Sequence, residues 1–191
     1  MAGSHVIAPD GNLHPMTAPR ETAGVRLEPW GAGDLPLLEK TMGDPAMTEH
    51  LGGPESREEL VARQAKYERL AGSGKGRMFK IVDEATGEAV GTVGYWDKTW
   101  RDREVYETGW SVIPAFQGRG IAVAATAQAI ALAAAEGKHT SMYAYPSVTN
   151  PASNAICRRL GFELEEELEF EFPPGNPMRC NCWRLDLTGR S

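Results

Sequence analysis

The stretch Ile121–Glu136 constrains the fold more than any other part of the chain. It consists almost entirely of Ala, Ile, Leu, Val, Thr and Gln, and Gly137 follows where a helix C-cap is expected. A helix of that composition is expected to be buried over most of its surface, so other elements have to cover it. Residues 106–113 before it and 140–145 after it read as strands. Asn150 and Pro151 then supply an N-cap and a proline at the first helical position, opening a helix that ends before Gly161. This β-α-β-α order points to an α/β architecture with a mixed sheet.

Upstream, residues 25–30 read as a first strand, and Asp34 is expected to cap a short helix with Pro36 at its second position. Ser56 and Glu59 form a capping box opening a second helix through Leu60, Val61, Ala65 and Leu70, which Gly72 stops. Residues 78–82 and 90–96 flank a turn around Thr86 and Gly87 and read as a hairpin. Residues 163–172 and 178–187 read as two closing strands around the turn PPGNP, the first alternating Glu with Leu and Phe. The expected organisation is a flexible N-terminal arm over residues 1–24, with Met16 as a second start, and a single domain over residues 25–191.

Twenty Lys and Arg against 26 Asp and Glu leave a formal charge of −6. That balance argues against a nucleic-acid partner, because neutralising phosphates takes clustered cations, and it allows cationic substrates. At 191 residues about 70% of the unfolded chain's surface can be buried, so the fold needs neither disulfides nor a structural metal. Cys157, Cys180 and Cys182 form no zinc-binding pattern; they read as reduced thiols of a cytoplasmic protein, and no metal is expected. No apolar run approaches the roughly 20 residues that cross a bilayer, and no signal-peptide core is present near the start, so no membrane partner is expected.

The sequence GWSVIPAFQGRGIA, residues 109–122, runs a strand through a proline-marked turn straight into the helix start. Gly118 and Gly120 let backbone N–H groups approach a ligand, the helix start favours a phosphate, and Arg119 adds charge. The other reading is that the glycines only shape a tight turn. Rival motifs fail on spacing: a dinucleotide fingerprint needs Gly where Val123 stands, and the turn lacks the Gly-Lys-Ser/Thr of a Walker A loop. Residues 72–77, GSGKGR, also miss that loop, with Arg69 in place of its first Gly and Gly76 in place of Ser or Thr.

Gln117, Gly118, Arg119, Gly120, Ile121 and Ala122 match a Q/R-x-x-G-x-G/A signature. A second hallmark is the Asn-Pro-Ala-Ser of residues 150–153 followed by Gly161 and Phe162. On these motifs the chain, over residues 25–187, resembles the GNAT superfamily of acyl-CoA-dependent N-acetyltransferases, in its RimJ/RimL-like branch. HLGGPES, residues 50–56, is similar to that branch's substrate-side loop. The resemblance implies a mixed, mostly antiparallel sheet with central parallel strands that splay apart, flanked by helices. It implies acetyl-CoA, with pyrophosphate on the amides of Gly118, Gly120, Ile121 and Ala122, beside Gln117 and Arg119. Pantetheine would lie like an extra strand beside Trp110, Val112 and Ile113. An extended amide-bearing arm pairs only with an open strand edge, and Pro114 ends that edge by lacking an N–H.

Acetyl transfer requires a neutral amine, whereas a lysine-like ammonium has a pKa near 10.4, so a carboxylate or a water chain must take a proton. Glu107 matches the strand glutamate that is the general base in several relatives. Even spacing puts it on one face with Gly109, Ser111 and Ile113, unless the β-bulge that the resemblance implies resets the register. Its other reading is a solvated strand residue, or one paired with Arg101 or Arg103. Glu104, His50 and His139 are further titratable candidates.

Asn150, Ser153 and Cys157 fall at i, i+3 and i+7, a polar stripe expected to face the ligand. By resemblance Ser153 stabilises the departing CoA thiolate, and Asn150 bonds the pantetheine as well as, or instead of, capping. Cys157 stands where many relatives carry a general-acid tyrosine, a departure that leaves that task to Ser153 or a water; its other reading is small core filler. The oxyanion is expected at the N–H of Val112 or Ile113. Trp30, Trp96 and Trp110 line either the acceptor pocket or the core. The glutamates of residues 163–172 either pair with Arg179 and Arg184 across the hairpin or line the acceptor cleft.

The function expected is therefore transfer of an acetyl group from acetyl-CoA to a primary amine, on a protein N-terminus or a small molecule such as an antibiotic. Attack is direct, in a ternary complex, and a homodimer is compatible with it. The alternative is a non-catalytic acyl-CoA-binding module, which Glu107 and Ser153 disfavour.

Overall fold

The computed structural model describes residues 24–171, 175 and 177–190. Apart from Gly24, the N-terminal arm expected over residues 1–24 lies outside them, as does most of the PPGNP turn. In chain order the described elements are β1 (Val25–Pro29), α1 (Leu35–Thr41), α2 (Arg57–Leu70), β2 (Gly76–Asp83), β3 (Ala89–Trp100), β4 (Arg103–Val112), α3 (Ile121–Glu136), β5 (Ser141–Ala144), α4 (Pro151–Arg159), β6 (Glu163–Glu171) and β7 (Pro177–Asp186). A single 3-10 turn, Pro114–Phe116, joins β4 to the approach of α3. The strands form one sheet in the order β1-β2-β3-β4-β5-β7-β6. Neighbours are antiparallel except β4 and β5, which run parallel.

Local chemistry sets several boundaries. Ser56 Oγ accepts the Glu59 N–H at 3.3 Å while the Glu59 carboxylate takes the Ser56 N–H at 2.7 Å, completing the capping box of α2. Gly137 ends α3 in the left-handed conformation at φ 62°. Asp34 stands at the start of α1 but makes no capping bond. Its carboxylate instead accepts the Gly31 N–H at 2.8 Å and Lys80 Nζ at 3.0 Å, so it braces the loop against β2.

Strand alternation divides the core into two layers. One face carries Phe79, Ile81, Val93, Tyr95, Tyr106 and Met142 beneath Ile121, Ala125, Ala129, Ile130 and Ala133 of α3. The opposite face carries Met78 and Trp96 beneath Trp30, Leu37, Leu38 and Leu60, from β1's end and helices α1 and α2. Further along that face, Val105, Tyr143 and Cys182 form a third cluster bordered by Trp100, Tyr145 and Leu168.

Two expectations need correction. Helix α3 is not buried over most of its surface: Ile121, Ala125, Thr126, Ala129, Ile130 and Ala133 form one buried stripe, while Ala127, Ala131 and Leu132 are exposed. Alanine's small side chain conceals the polarity difference between the two faces. The β3 and β4 strands also extend beyond residues 96 and 106 and meet in a two-residue turn, Arg101 and Asp102, both left-handed at φ 50° and 61°. Two left-handed residues suit a tight hairpin, but the usual Asn-Gly or Asp-Gly signal is missing.

Candidate active site

The β4–β5 pair is ladder-bonded only at Tyr106↔Met142 and Glu107↔Tyr143. Beyond that point the chain after β5 follows β7 instead: Ser147 bridges Cys180, Asn181 N–H reaches Pro146 O at 2.9 Å and Val148 N–H reaches Arg179 O at 3.0 Å. The strands therefore splay from Thr108 onward. On its other side β4 keeps unbroken register with β3 from Trp100↔Arg103 to Gly91↔Val112. The bulge that the resemblance implied is absent from this ladder, because every residue of β4 has a cross-strand partner on β3.

Unbroken register decides which main-chain groups line the cleft. Ile113 donates its N–H to Val90 O on the β3 side at 2.9 Å. In an antiparallel strand alternate residues turn their N–H and C=O to opposite sides, so beyond the last pair with β5 it is Trp110 and Val112 that present theirs to the open edge. Ile113 is thereby removed as an oxyanion donor, whereas Val112 faces the edge. Gln117, expected among ligand contacts, folds back: its Nε2 donates to Val112 O at 2.9 Å and lies 3.4 Å from Met47 Sδ. Arg119 likewise donates to Ala115 O at 2.9 Å and stacks on Phe116 at 4.8 Å, tying down the turn.

Past that turn Gly118 and Gly120 adopt φ 75° and 80°, and a Cβ on either would meet no atom within 4 Å. Only the backbone conformation therefore demands glycine there, and the turn faces open space. Helix geometry leaves the N–H groups of Ile121, Ala122 and Val123 without intrahelical acceptors. The result is a patch of amides at the positive end of a 16-residue helix, at the outer end of the open edge. These features fit an extended ligand carrying a phosphate group at one end.

On α4 the expected stripe comes apart. Asn150 Oδ1 accepts the Ser153 N–H at 2.9 Å, so that side chain caps the helix. Ser153 is half-buried. Cys157 is fully buried within the core beneath α3, and burial pushes its thiol up to about 12. It packs as an apolar group and does not face the cleft. Sequence reasoning missed Asn154, which is buried and donates to Ser147 O at 2.9 Å and Asn150 O at 2.7 Å. Its Oδ1 accepts Asn181 Nδ2 at 2.7 Å and Trp183 Nε1 at 2.8 Å, fastening α4 to β7 and to the splayed loop.

Glu107 lies on the α1 and α2 side of the sheet with 18% of its side chain exposed, and its Oε2 is 2.8 Å from Lys98 Nζ. Arg101 pairs instead with Glu166, so neither arginine considered for Glu107 is its partner in the structure. Lys98 Nζ also lies over the Tyr145 ring at 5.3 Å from its centre. Tyr145 in turn stacks on Tyr143 at 6.1 Å and meets Trp100 edge-on at 5.4 Å. Neither Lys98 nor these rings was singled out from the sequence; the signal was the Arg101-Asp102 turn, whose register sets Lys98 diagonally across from Glu107.

The remaining candidates are mostly structural. Trp30 is buried, donating Nε1 to Gln64 Oε1 at 2.9 Å and meeting Tyr67 edge-on, so it belongs to the core. Trp96 and Trp110 are half-buried against the cores of the two opposite faces. His139 is half-buried rather than exposed, with 7% of its side chain in solvent and Nε2 2.9 Å from Asp97. Burial opposes the charge on Asp97, but hydrogen bonds from Lys138 and His139 outweigh it and hold that carboxyl below the usual range. His50 Nδ1 lies 3.1 Å from Thr149 Oγ1, in the loop that follows β5. Glu165, Glu166 and Cys182 cluster on β6 and β7, where Arg101 already pairs Glu166 and Arg184 stands 3.9 Å from Glu165.

The splayed parallel pair and the amide-rich helix start are the features that the resemblance implied, and a family comparison gives the class of protein. The acetyltransferase (GNAT) domain family matches residues 25–163, and the chain belongs to that family. It is an acetyl-CoA-dependent acetyltransferase, and RimL is among the solved structures that share its fold. RimL, a ribosomal alpha-N-protein acetyltransferase in complex with coenzyme A, shares 22% identity over 88% of this chain and 96% of its own, with TM-score 0.72. Spermidine N-acetyltransferase from Vibrio cholerae, in complex with CoA and spermine, shares 18% identity over 87% and 97%, with TM-score 0.71. A GNAT-family acetyltransferase from Bacillus anthracis shares 16% identity over 85% and 95%, with TM-score 0.70. Among curated proteins no significant match is found. No helix among the described residues is long and apolar enough to cross a membrane.

Proposed function

We propose that this chain transfers the acetyl group of acetyl-CoA to a primary amine by direct attack in a ternary complex, in the cytoplasm. The observation that carries the reading is the continuity of the β4 edge that β5 leaves uncovered, at Trp110 and Val112, with the left-handed Gly118 and Gly120 at the start of α3. The edge offers main-chain partners to a pantetheine arm at Trp110 and Val112, and the amides of Gly118, Gly120, Ile121 and Ala122 offer partners to a pyrophosphate. Bound acetyl-CoA supplies an acetyl thioester, already activated toward amines.

The chain's own groups divide the remaining work. Glu107, on the paired foot of β4, takes the proton an ammonium acceptor must lose. The arm takes up the Val112 N–H, so the Trp110 N–H, next along the edge toward the thioester, is the donor available to a developing oxyanion. Ser153, at the first turn of α4, donates toward the departing thiolate. The likeness to a ribosomal alpha-N-protein acetyltransferase and to a spermidine acetyltransferase supports both a protein N-terminus and a small amine as acceptor classes.

The test is thiol release from acetyl-CoA across N-terminal peptides, polyamines, aminoglycosides and amino acids. Turnover on one class above the hydrolytic background is the expected result. Tight CoA binding without turnover on any acceptor would leave a binding module in place of an enzyme.

A further inference from the structure

Lys98 stands at the apex of the cleft. Paired in register with Val105, it reaches diagonally to Glu107, and its ammonium lies both 2.8 Å from that carboxylate and 5.3 Å from the centre of the Tyr145 ring. Glu107 is the last residue of β4 that pairs with β5, and Tyr145 is the first residue beyond β5. The ammonium thus bridges the two strands where they part. A carboxylate and a ring face are the two features that hold an alkylammonium. Here the chain fills such a place with its own.

Direction along the edge brings the donor to the same point. An arm anchored at Gly118 and Gly120 and laid along Val112 and Trp110 carries its far end toward Thr108, the neighbour of Glu107. The thioester therefore arrives beside an amine already hydrogen-bonded to a proton acceptor.

We infer that Lys98 is a self-acetylation site: without a competing acceptor, its Nζ takes the acetyl group from acetyl-CoA bound to the same chain. The inference rests on the proposed placement of acetyl-CoA along β4. In this step the ammonium gives one proton to Glu107, and the freed amine bonds to the thioester carbonyl carbon. The carbon–sulfur bond breaks with its electron pair on sulfur, and the nitrogen loses a second proton as the amide forms. The CoA thiolate takes up one proton, so one is released overall. The product amide is neutral, and Glu107 loses its ion pair with Lys98.

Six lysines are present, which provides internal comparators. Lys40, Lys66, Lys75 and Lys138 are exposed, whereas Lys98 keeps only 27% of its side chain in solvent. Direct reaction with acetyl-CoA from bulk solution favours the exposed four; reaction within the cleft favours Lys98.

The experiment incubates the full chain with acetyl-CoA carrying a deuterated acetyl group, without acceptor, and maps the label by peptide mass spectrometry. Label is expected at Lys98 ahead of the exposed lysines. It should be absent in Lys98→Arg, slowed about a hundredfold in Glu107→Gln, and lost in Gly120→Glu. Label on the exposed lysines with Lys98 unmodified, or equal labelling of Lys98 in Gly120→Glu, overturns the inference. If acetyl-CoA binds and amines are turned over while Lys98 stays unlabelled, this inference fails alone; if titration detects no binding, the proposed function fails with it.

Discussion

Gln117 Nε2 donates to the carbonyl oxygen of Val112 at 2.9 Å, so the outermost acceptor of the open β4 edge is already filled from within the chain. The same side chain reaches Met47 in the loop before α2, and it therefore fixes the edge, the turn and that loop together. Gln117→Ala is expected to raise the KM for acetyl-CoA about fivefold, the worth of one hydrogen bond, with kcat changed by less than about twofold. Steady-state kinetics with varied acetyl-CoA check this, and an unchanged KM would show that the bond does not position the edge.

Gly120 separates conformational strain from charge. Its left-handed φ makes alanine cost about 1–2 kcal/mol, although a Cβ there meets nothing. Gly120→Ala should therefore weaken CoA binding about tenfold, whereas Gly120→Glu adds a negative charge beside the pyrophosphate and should abolish measurable binding. Calorimetry on variants with unchanged circular dichroism makes the comparison. Equal affinities for wild type and the glutamate variant would place the pyrophosphate elsewhere.

Glu107→Gln removes the proton acceptor while preserving side-chain shape. The rate at neutral pH should fall about a hundredfold, and the deficit should shrink as pH approaches the amine's own pKa, near 10.4 for a lysine-like acceptor. A pH–rate profile parallel to that of wild type would remove Glu107 from the proton transfer.

Asn154 makes four hydrogen bonds in a buried site, and Asn154→Leu would leave the Trp183 and Asn181 donors unpaired. A loss of about 2–4 kcal/mol is expected, a drop in Tm of about 5–12 °C for a chain of this size. Thermal unfolding followed by circular dichroism measures it, and a drop below about 2 °C would mean the network contributes little.

Burial pushes the Cys157 and Cys182 thiols up to about 12 and Cys180 up to about 11, from an ordinary value of 9.0. Native protein at neutral pH should resist iodoacetamide at all three. In the unfolded chain the thiols ionise first, so their contribution to stability is complete below pH 9 and is lost as pH rises toward 11 and 12. Denaturant titrations across that range should show stability falling, and a replacement of Cys157 by Ala should flatten the fall.

Signals within a few residues of their target were legible in the sequence. Ser56 with Glu59, Gly137, and Asn150 with Pro151 each act within one helical turn, and the helix ends follow them. The open edge was legible through Pro114 and the two motifs, but its register was not. Whether β4 carries a bulge depends on how β3 lies against it, and that is fixed by Arg101 and Asp102, residues that rarely take left-handed conformations together. Missing that turn also hid the approach of Lys98 to Glu107. Asn154 escaped for a related reason: its partners lie on β7 and in the loop after β5, 27 and 29 residues away at Asn181 and Trp183.

Placing β7 between β5 and β6 has a consequence for the order in which the molecule is made. The short β5 has β4 on one side for two residue pairs only, and its main partner is the last strand of the sheet. During synthesis, then, β5 and the acidic β6 emerge from the ribosome before the strand that joins them exists. The nascent chain holds one arm of the cleft without its backing until residues 177–186 have been translated.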